Sequence, residues 1–219
     1  MLQLRVTLLD STPTIWRRVI LDPRLTLAQL HTVFQLSFGW NNSHLHDFLG
    51  LGGVRYATPA PSPLGIDDFD KAAIDERKVC LAQVFTATKT KLMYEYDLGD
   101  SWMHAVVLEG TVDSETIDYP FETFIHRGKG AASGKKRAAM CIAGQLAGPP
   151  DDSGGPFGCA ELLALKARAT SPDQKKLSAD DRERVEWLGD WNPNSFHLSP
   201  INQELSKVRV KKAIELAGE

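Results

Sequence analysis

The sequence predicts an α+β fold: a mixed β-sheet with a β-grasp-like core of hairpin, helix and strands, followed by a helical C-terminal part. Three observations favour it. Apolar and polar residues alternate over residues 2–21, a capped amphipathic helix follows, and short strand-like segments then precede the helical patterns of the C-terminal third.

The opening hairpin is predicted from period-two alternation. Apolar residues of its first strand occupy every second position: Leu2, Leu4, Val6 and Leu8. The segment "WRRVIL", after a turn at Pro13, supplies a second apolar run. The two segments therefore read as antiparallel partners.

The first helix is the most sharply defined element. Thr26 precedes "LAQLHTVFQLSFG", in which the apolar residues recur at helical spacing. Gln29 lies three residues after Thr26, as in a capping box, and Gly39 is placed to end the helix.

Further strands are expected on both sides of a loop. "SHLHDFLGLGGVRYA" reads as a strand, a glycine turn and another strand, and residues 58–76 read as a surface loop. A short helix near residues 79–85 leads into "YEYDLGDSWMHAVVLE", residues 94–109, a strand, turn and strand rich in charge.

The chain is expected to form one domain in three parts. Residues 1–125 form a sheet-rich core with one crossing helix, residues 126–139 a basic mobile loop, and residues 140–219 a helical part packed on the same core. In the helical part we expect three helices. The first runs from Pro156 to Leu165, the second begins after a cap formed by Ser178 and Asp181, and the third runs from residue 199 through residue 214.

Composition disfavours several classes of protein. The 219 residues include 25 basic and 28 acidic side chains, a net charge of −3, so any nucleic-acid contact has to be local. The three cysteines form no Cys-x-x-Cys pair, which is typical of a reduced cytoplasmic protein. No segment approaches membrane-spanning length, so we expect a cytoplasmic protein without a membrane partner.

The charged hairpin is the first candidate site. If Gly99 and Asp100 are the central residues of a two-residue turn, Glu95 lies opposite His104, whereas a loop with an odd number of residues reverses this register. A carboxylate beside an imidazole suits acid–base work or metal ligation, and equally an ordinary cross-strand pair. The candidate polar cluster comprises Glu95, Asp97, Asp100, His104, Asp151 and Asp152.

A second candidate is "NNSHLHDF". In a strand, His44 and His46 point to the same face and could share one metal, although zinc needs further ligands. The alternative is a polar strand end packed under a loop.

The third candidate is "AGPPDDSGGPFG", residues 147–158. Its acidic pair disfavours a phosphate, so helix capping or a cation fits better. If the three segments converge, they form a cluster that binds a divalent metal, the one cofactor these residues suggest. The candidate ligands are His44, His46, His104 and Asp151.

Four separated blocks resemble the plasmid pRiA4b ORF-3-like family, whose members also carry transposon-passenger and resolvase-like labels. The blocks are "IWRRVILDPRLTLAQLHTVFQLSFGWNNSHLHDF", "YEYDLGDSWMHAVVLE", "CIAGQLAGPPDDSGGPFGCAELL" and "EWLGDWNPNSFHLSPIN". The resemblance implies an α+β fold and an association with plasmids and mobile elements. It implies no recombinase chemistry here, because the expected nucleophile segment is missing near the N-terminus.

The sequence departs from this family pattern in the acidic loop. Gly148 and Ser153 stand where the family has cysteines, and Asp151 replaces the usual Glu. These differences disfavour a thiolate metal site and leave one built from nitrogen and oxygen ligands.

Three functions follow from these observations. The first is a binding or interaction module with a protein partner, in which the polar blocks organise turns. The second is local nucleic-acid binding, for which the candidate residues are Arg127, Lys129, Lys135, Lys136 and Arg137. The alternative to both is a divalent-metal-dependent hydrolase with a His and Asp cluster.

Overall fold

The computed structural model describes residues 1–59, 73–113, 137–171 and 177–210. The strands are β1 (Leu2–Leu8), β2 (Trp16–Leu21), β3 (His46–Leu49), β4 (Arg55–Ala57), β5 (Ile74–Asp75), β6 (Lys91–Tyr96), β7 (Trp102–Thr111) and β8 (Ala139–Gln145). The helices are α1 (Leu27–Phe38), α2 (Leu81–Val84), α3 (Gly155–Ala169), α4 (Ala179–Leu188) and α5 (Leu198–Leu205), with 3₁₀ turns at Leu51–Gly53 and Glu76–Lys78.

The eight strands of the described residues belong to one sheet, in the order β5-β4-β3-β6-β7-β1-β2-β8. Neighbouring strands are antiparallel except β4 and β5, which are parallel. The sheet is therefore mixed, and the predicted α+β class is confirmed.

Helix α1 forms where the sequence predicts it. The Thr26 hydroxyl accepts a hydrogen bond from the Gln29 backbone N–H, and the Gln29 side chain caps the Thr26 N–H in return. Gly39 ends the helix with φ at 85°, a backbone conformation that favours glycine. The apolar face of α1 is buried in the same core as the alternate residues of β1, β2, β6 and β7.

The observed first residues of the C-terminal helices lie closer to the predicted positions than their observed last residues do. Helix α4 begins at the predicted cap, with Ser178 and Asp181 forming a capping box. Helix α5 begins after His197 and ends at Leu205, well before residue 214. Residues 211–219 lie outside the described part of the chain.

Strand β8 was not predicted. It pairs with β2 and forms one edge of the sheet, so the sheet does not end where the helical part was expected to begin, at residue 140. Helix α5 covers this edge through Asn202. Its side-chain oxygen accepts a hydrogen bond from the Cys141 N–H, and its amide nitrogen donates one to the Cys141 carbonyl, both at 2.8 Å.

The three cysteines of the chain form no disulfide. Cys80, Cys141 and Cys159 are free thiols, and burial raises the pKa of Cys141 and of Cys159 to about 11. These two thiols therefore stay protonated and unreactive near neutral pH.

No helix among the described residues combines the length and the apolar character needed to cross a bilayer.

Candidate functional site

The turn between β6 and β7 differs from the predicted two-residue turn. The loop contains five residues, Asp97 to Ser101, so Tyr94 pairs with His104 and Glu95 pairs with Met103. The predicted pairing of Glu95 with His104 is therefore wrong. Asp97 has a φ of 57°, and its carboxylate accepts hydrogen bonds from the backbone N–H groups of Gly99 and Asp100 at 3.0 and 3.3 Å.

This register places His104 in the core. Its ring lies 5.0 to 5.3 Å from the rings of Phe38, Trp40 and Tyr94, and its Nδ1–H donates to the Tyr94 carbonyl at 3.3 Å. Burial lowers its pKa to about 3, so the ring is neutral near pH 7. His104 is therefore enclosed by aromatic rings and does not face solvent, and its metal role stays a prediction. Glu95 instead accepts a hydrogen bond from the Ser101 hydroxyl at 2.7 Å.

The three segments predicted to converge meet through His44, one of the candidate metal ligands, and through Asp97 and Asp152 of the candidate polar cluster. His44 Nδ1 lies 3.5 Å from Asp97 Oδ2, and its Nε2 lies 3.0 Å from Asp152 Oδ1. The contact with Asp152 lacks hydrogen-bond geometry, which leaves Nε2 buried without a hydrogen-bond partner. One potential ligand atom from each residue lies within 4.8 Å of the other two, and we call these three residues the rim triad.

The other acidic residues of the two loops, Asp100 and Asp151, accept hydrogen bonds from neighbouring segments. Asp100 accepts a hydrogen bond from the Gly154 N–H at 2.9 Å. Asp151 accepts one from the Tyr96 hydroxyl at 3.1 Å and another from the Asn41 N–H at 3.2 Å. These contacts hold the acidic loop against the hairpin and give Asp151 a positional role, while its metal role stays a prediction.

Gly148 lies where the chain passes very close to α1. A Cβ atom at Gly148 would lie 2.0 Å from the Phe38 carbonyl oxygen, a distance that excludes any side chain. Gly148, which stands where the family pattern has a cysteine, therefore lies at a point where the backbone approaches α1 closely.

His46 has a different partner from His44. His44 lies in a bend before β3, whereas His46 is the first residue of the strand. The Nε2 atom of His46 lies 3.0 and 3.1 Å from the two carboxylate oxygens of Glu76. The two histidines therefore contact different carboxylates, and their sharing of one metal stays a prediction. Glu76 is 1% exposed and also accepts a hydrogen bond from the Thr58 hydroxyl.

Beneath His46 lies a closed ring of hydrogen bonds. The Gln35 amide donates to the Tyr94 hydroxyl at 3.2 Å, and this hydroxyl donates to Nδ1 of His31 at 2.8 Å. Nε2–H of His31 donates to the Asn42 side-chain oxygen at 2.5 Å, and the Asn42 N–H donates to the Gln35 side-chain oxygen at 2.8 Å. The His31 ring stacks on His46 with centroids 3.5 Å apart and an interplanar angle of 4°.

These groups line a cleft of about 540 Å³, which we call the polar cleft. Its lining includes His31, Asn42, His44, His46, Thr58, Glu76 and the exposed Leu45 and Leu98. Burial, with a smaller contribution from His46, lowers the pKa of His31 to about 4, so His31 is neutral near pH 7. His44 belongs both to this cleft and to the rim triad.

Sequence reasoning missed His31 and Glu76. His31 follows Leu27 by four residues, so a histidine on the apolar face of a predicted helix was an available signal. Glu76 lay in a segment read as a surface loop, and no pattern there indicates a buried carboxylate.

A second cavity is larger and mostly apolar. It has a volume of about 810 Å³ and lies between the β1–β2 turn, Trp102, the first half of α3 and Trp191. The exposed Phe157 lies at its edge. Among the described residues its lining contains no histidine and no glutamate, so it lacks the imidazole and carboxylate pair that lines the polar cleft.

Most of the predicted nucleic-acid residues lie outside the described part of the chain. These are Arg127, Lys129, Lys135 and Lys136. Arg137 is described just before β8 and is partly exposed.

Comparisons with known proteins agree with the resemblance seen in the sequence. The chain is 28% identical over 214 residues to the uncharacterised protein y4hQ of Sinorhizobium fredii, covering 96% of this chain and 93% of that protein. Its fold is similar to the crystal structure of MM3350, a protein of unknown function from Methanosarcina mazei Go1, with a TM-score of 0.65 and 26% identity. That match covers 90% of this chain and 94% of the other. Because the family model of the plasmid pRiA4b ORF-3-like protein matches residues 1–200, the chain belongs to the plasmid pRiA4b ORF-3-like family.

Proposed function

We propose that this protein is a binding module whose polar cleft takes a small polar ligand, and that the rim triad holds a divalent cation beside it. The observation that carries the proposal is the meeting of His44, Asp97 and Asp152. They come from three separate segments, yet their ligand atoms lie within 4.8 Å of one another.

The chemistry of the triad fits a cation. Two carboxylates and one imidazole supply mixed oxygen and nitrogen donors, which suit Zn²⁺ or Mn²⁺. Three protein ligands leave a coordination position for water or for a ligand in the cleft. Asp100 and Asp151 hold the two loops that supply Asp97 and Asp152, so the site needs little ordering when a cation binds.

Cation titration tests the proposal. After treatment with a chelator and its removal, calorimetric titration with Zn²⁺ and with Mn²⁺ is expected to show one saturable site. His44→Ala, Asp97→Asn and Asp152→Asn are each expected to weaken it by about tenfold or more. Asp97→Asn keeps an oxygen that can accept the turn N–H groups, so it removes charge with little change of backbone.

Two control variants separate loss of the rim triad from a general loss of charge or of an imidazole. Asp190→Asn removes an exposed carboxylate after α4 and is expected to leave the affinity unchanged. His46→Asn removes the other accessible imidazole of the polar cleft and is also expected to leave it unchanged. Affinity that is equal in the wild type and in Asp97→Asn and Asp152→Asn contradicts the site, as does the absence of saturable binding.

A second candidate function is hydrolysis assisted by the cation. The observation that favours it is the His46–Glu76 pair in the cleft that His44 also lines. An imidazole oriented by a buried carboxylate is a typical general base, and a nearby cation could polarise the bond under attack.

A further inference from the structure

The second, larger cavity, which we call the apolar cavity, has an apolar floor. The buried residues that line it are Leu8, Ile15, Trp102, Pro149 and Cys159. Its volume of about 810 Å³ lies within the usual range of small-molecule sites. The floor therefore suits the apolar body of a small molecule.

Part of the cavity wall is held in place by two indole groups. Trp40 donates its Nε1–H to the Pro149 carbonyl, and Trp191 donates its Nε1–H to the Gly148 carbonyl, both at 2.9 Å. The backbone of this wall is also fixed next to Gly148, where the Ala147 N–H donates to a carbonyl at 3.0 Å. A ligand thus meets a preformed surface, which lowers the entropic cost of binding.

The mouth of the cavity carries one charge. Asp10 is exposed and is the only charged residue of the described lining. Its carboxylate makes no hydrogen bond or ion pair with another described residue, because Ser11 holds the turn. The nearby Lys166 is not in the lining and donates to the carbonyls of Gly189 and Trp191. Asp10 is therefore available to a cationic group and repels an anionic one.

The mouth also carries a large apolar side chain. Phe157, in the first turn of α3, is 89% exposed and lines the cavity. An apolar molecule that extends outward from the floor covers this ring, and removal of that surface from water favours binding.

We propose that the apolar cavity binds an amphiphilic primary amine, with its alkyl chain on the floor and against Phe157 and its ammonium group at the mouth beside Asp10. The apolar cavity shares no lining residue with the polar cleft, and none of the rim triad lines it. The inference is therefore independent of the proposed cation site.

Three probes of equal chain length separate the contribution of the chain from that of the charge. Decylamine, decanol and decanoate are titrated by calorimetry into the full chain with EDTA present, each below its micelle concentration. We expect one saturable site, with decylamine bound about threefold more tightly than decanol and decanoate about threefold more weakly, the usual size of an exposed charge pair. Added salt is expected to bring the three affinities together.

Asp10→Asn tests the role of the charge. Asparagine tolerates the φ of 56° at this position, so the variant removes the charge and retains the turn. It is expected to give decylamine and decanol equal affinities while leaving that of decanol unchanged. Glu186→Gln removes an exposed carboxylate of α4 and is expected to keep the wild-type preference for the amine.

Ala160→Phe tests the location of the site. Ala160 is an exposed residue of α3 that lines the cavity, so a larger side chain there occupies the cavity without entering the core. This variant is expected to weaken the binding of each probe by about tenfold or more. Ala167→Phe, at an exposed position of α3 outside the lining, is the matched control and is expected to bind as the wild type does.

Several outcomes overturn the inference. An absence of saturable decylamine binding, or wild-type affinity in folded Ala160→Phe, excludes the apolar cavity as the site. Equal affinities of the wild type for the three probes indicate a neutral apolar ligand, and tightest binding of decanoate indicates an anionic one. A preference for the amine that survives in Asp10→Asn assigns the charge recognition to another residue. If Ala160→Phe does not fold, the comparison of Asp10→Asn with the wild type decides.

Discussion

His104 is a neutral imidazole enclosed by aromatic rings, and this has a consequence for stability. Its pKa is about 3 in the folded chain and about 6.5 when unfolded, so between these values only the unfolded chain binds a proton there. The free energy of unfolding is therefore expected to fall with falling pH, by up to about 1.4 kcal/mol per pH unit from this residue. His31 adds a loss of the same sign down to about pH 4.

Denaturant unfolding from pH 7 to pH 4 measures this loss. His104→Leu is expected to have a shallower pH dependence than the wild type, with the contribution of His31 remaining. His197→Leu changes an exposed histidine and is the matched control, with the wild-type slope expected. Equal slopes in His104→Leu and the wild type would contradict the buried, neutral assignment.

The same residue shows what the sequence could and could not predict. Both strands of the hairpin and their alternation were predicted correctly, but the face of His104 depends on whether the loop contains an odd or an even number of residues. That number follows from Asp97, which adopts a φ of 57° and caps the following N–H groups. An aspartate in this conformation has no distinctive sequence pattern, so the local sequence favours the simpler Gly99-Asp100 turn.

The edge strand β8 depends on Asn202 of α5. The two Asn202–Cys141 hydrogen bonds satisfy backbone groups on an edge that would otherwise be buried without partners. Asn202→Leu preserves approximate volume but leaves one N–H and one carbonyl unpaired. We expect it to lower the free energy of unfolding by roughly 2–4 kcal/mol.

Chemical denaturation measures the free energy of unfolding of Asn202→Leu and of Gln203→Leu. The comparison separates loss of the Asn202 hydrogen bonds from a general effect of leucine in α5. Gln203 is exposed, so its variant is expected to lie within about 0.5 kcal/mol of the wild type. Similar stability of the two variants would mean that the Asn202 contacts contribute little.

Elements with strong local signals were predicted, and those defined by distant contacts were not. Helix α1 carries its own cap, period and stop, and its observed bounds follow them. Strand β8 has no clear alternation and becomes a strand by pairing with β2, more than a hundred residues earlier in sequence. The rim triad also depends on contacts between residues that are distant in sequence. Its segments were predicted to converge, but the conformation of the folded loops decides which side chains meet.

The net charge of the chain, −3, makes uniform attraction to nucleic acid weak, so binding has to come from a local basic segment. The hypothesis assigns it to residues 127–137, most of which lie outside the described chain. Five phosphate contacts predict a slope of log affinity against log salt of about −4.5 for duplex DNA.

Fluorescence anisotropy with a labelled DNA duplex, from 50 mM salt upward, tests this prediction. If the segment binds, replacing Arg127, Lys129, Lys135, Lys136 and Arg137 with glutamine is expected to abolish most of the affinity and to flatten the salt dependence. Lys89→Gln with Lys91→Gln removes exposed positive charge elsewhere and is expected to have a smaller effect. Because electrostatic binding strengthens as salt is lowered, a wild-type chain that shows no binding at 50 mM salt would eliminate the nucleic-acid hypothesis and leave the polar cleft as the basis of function.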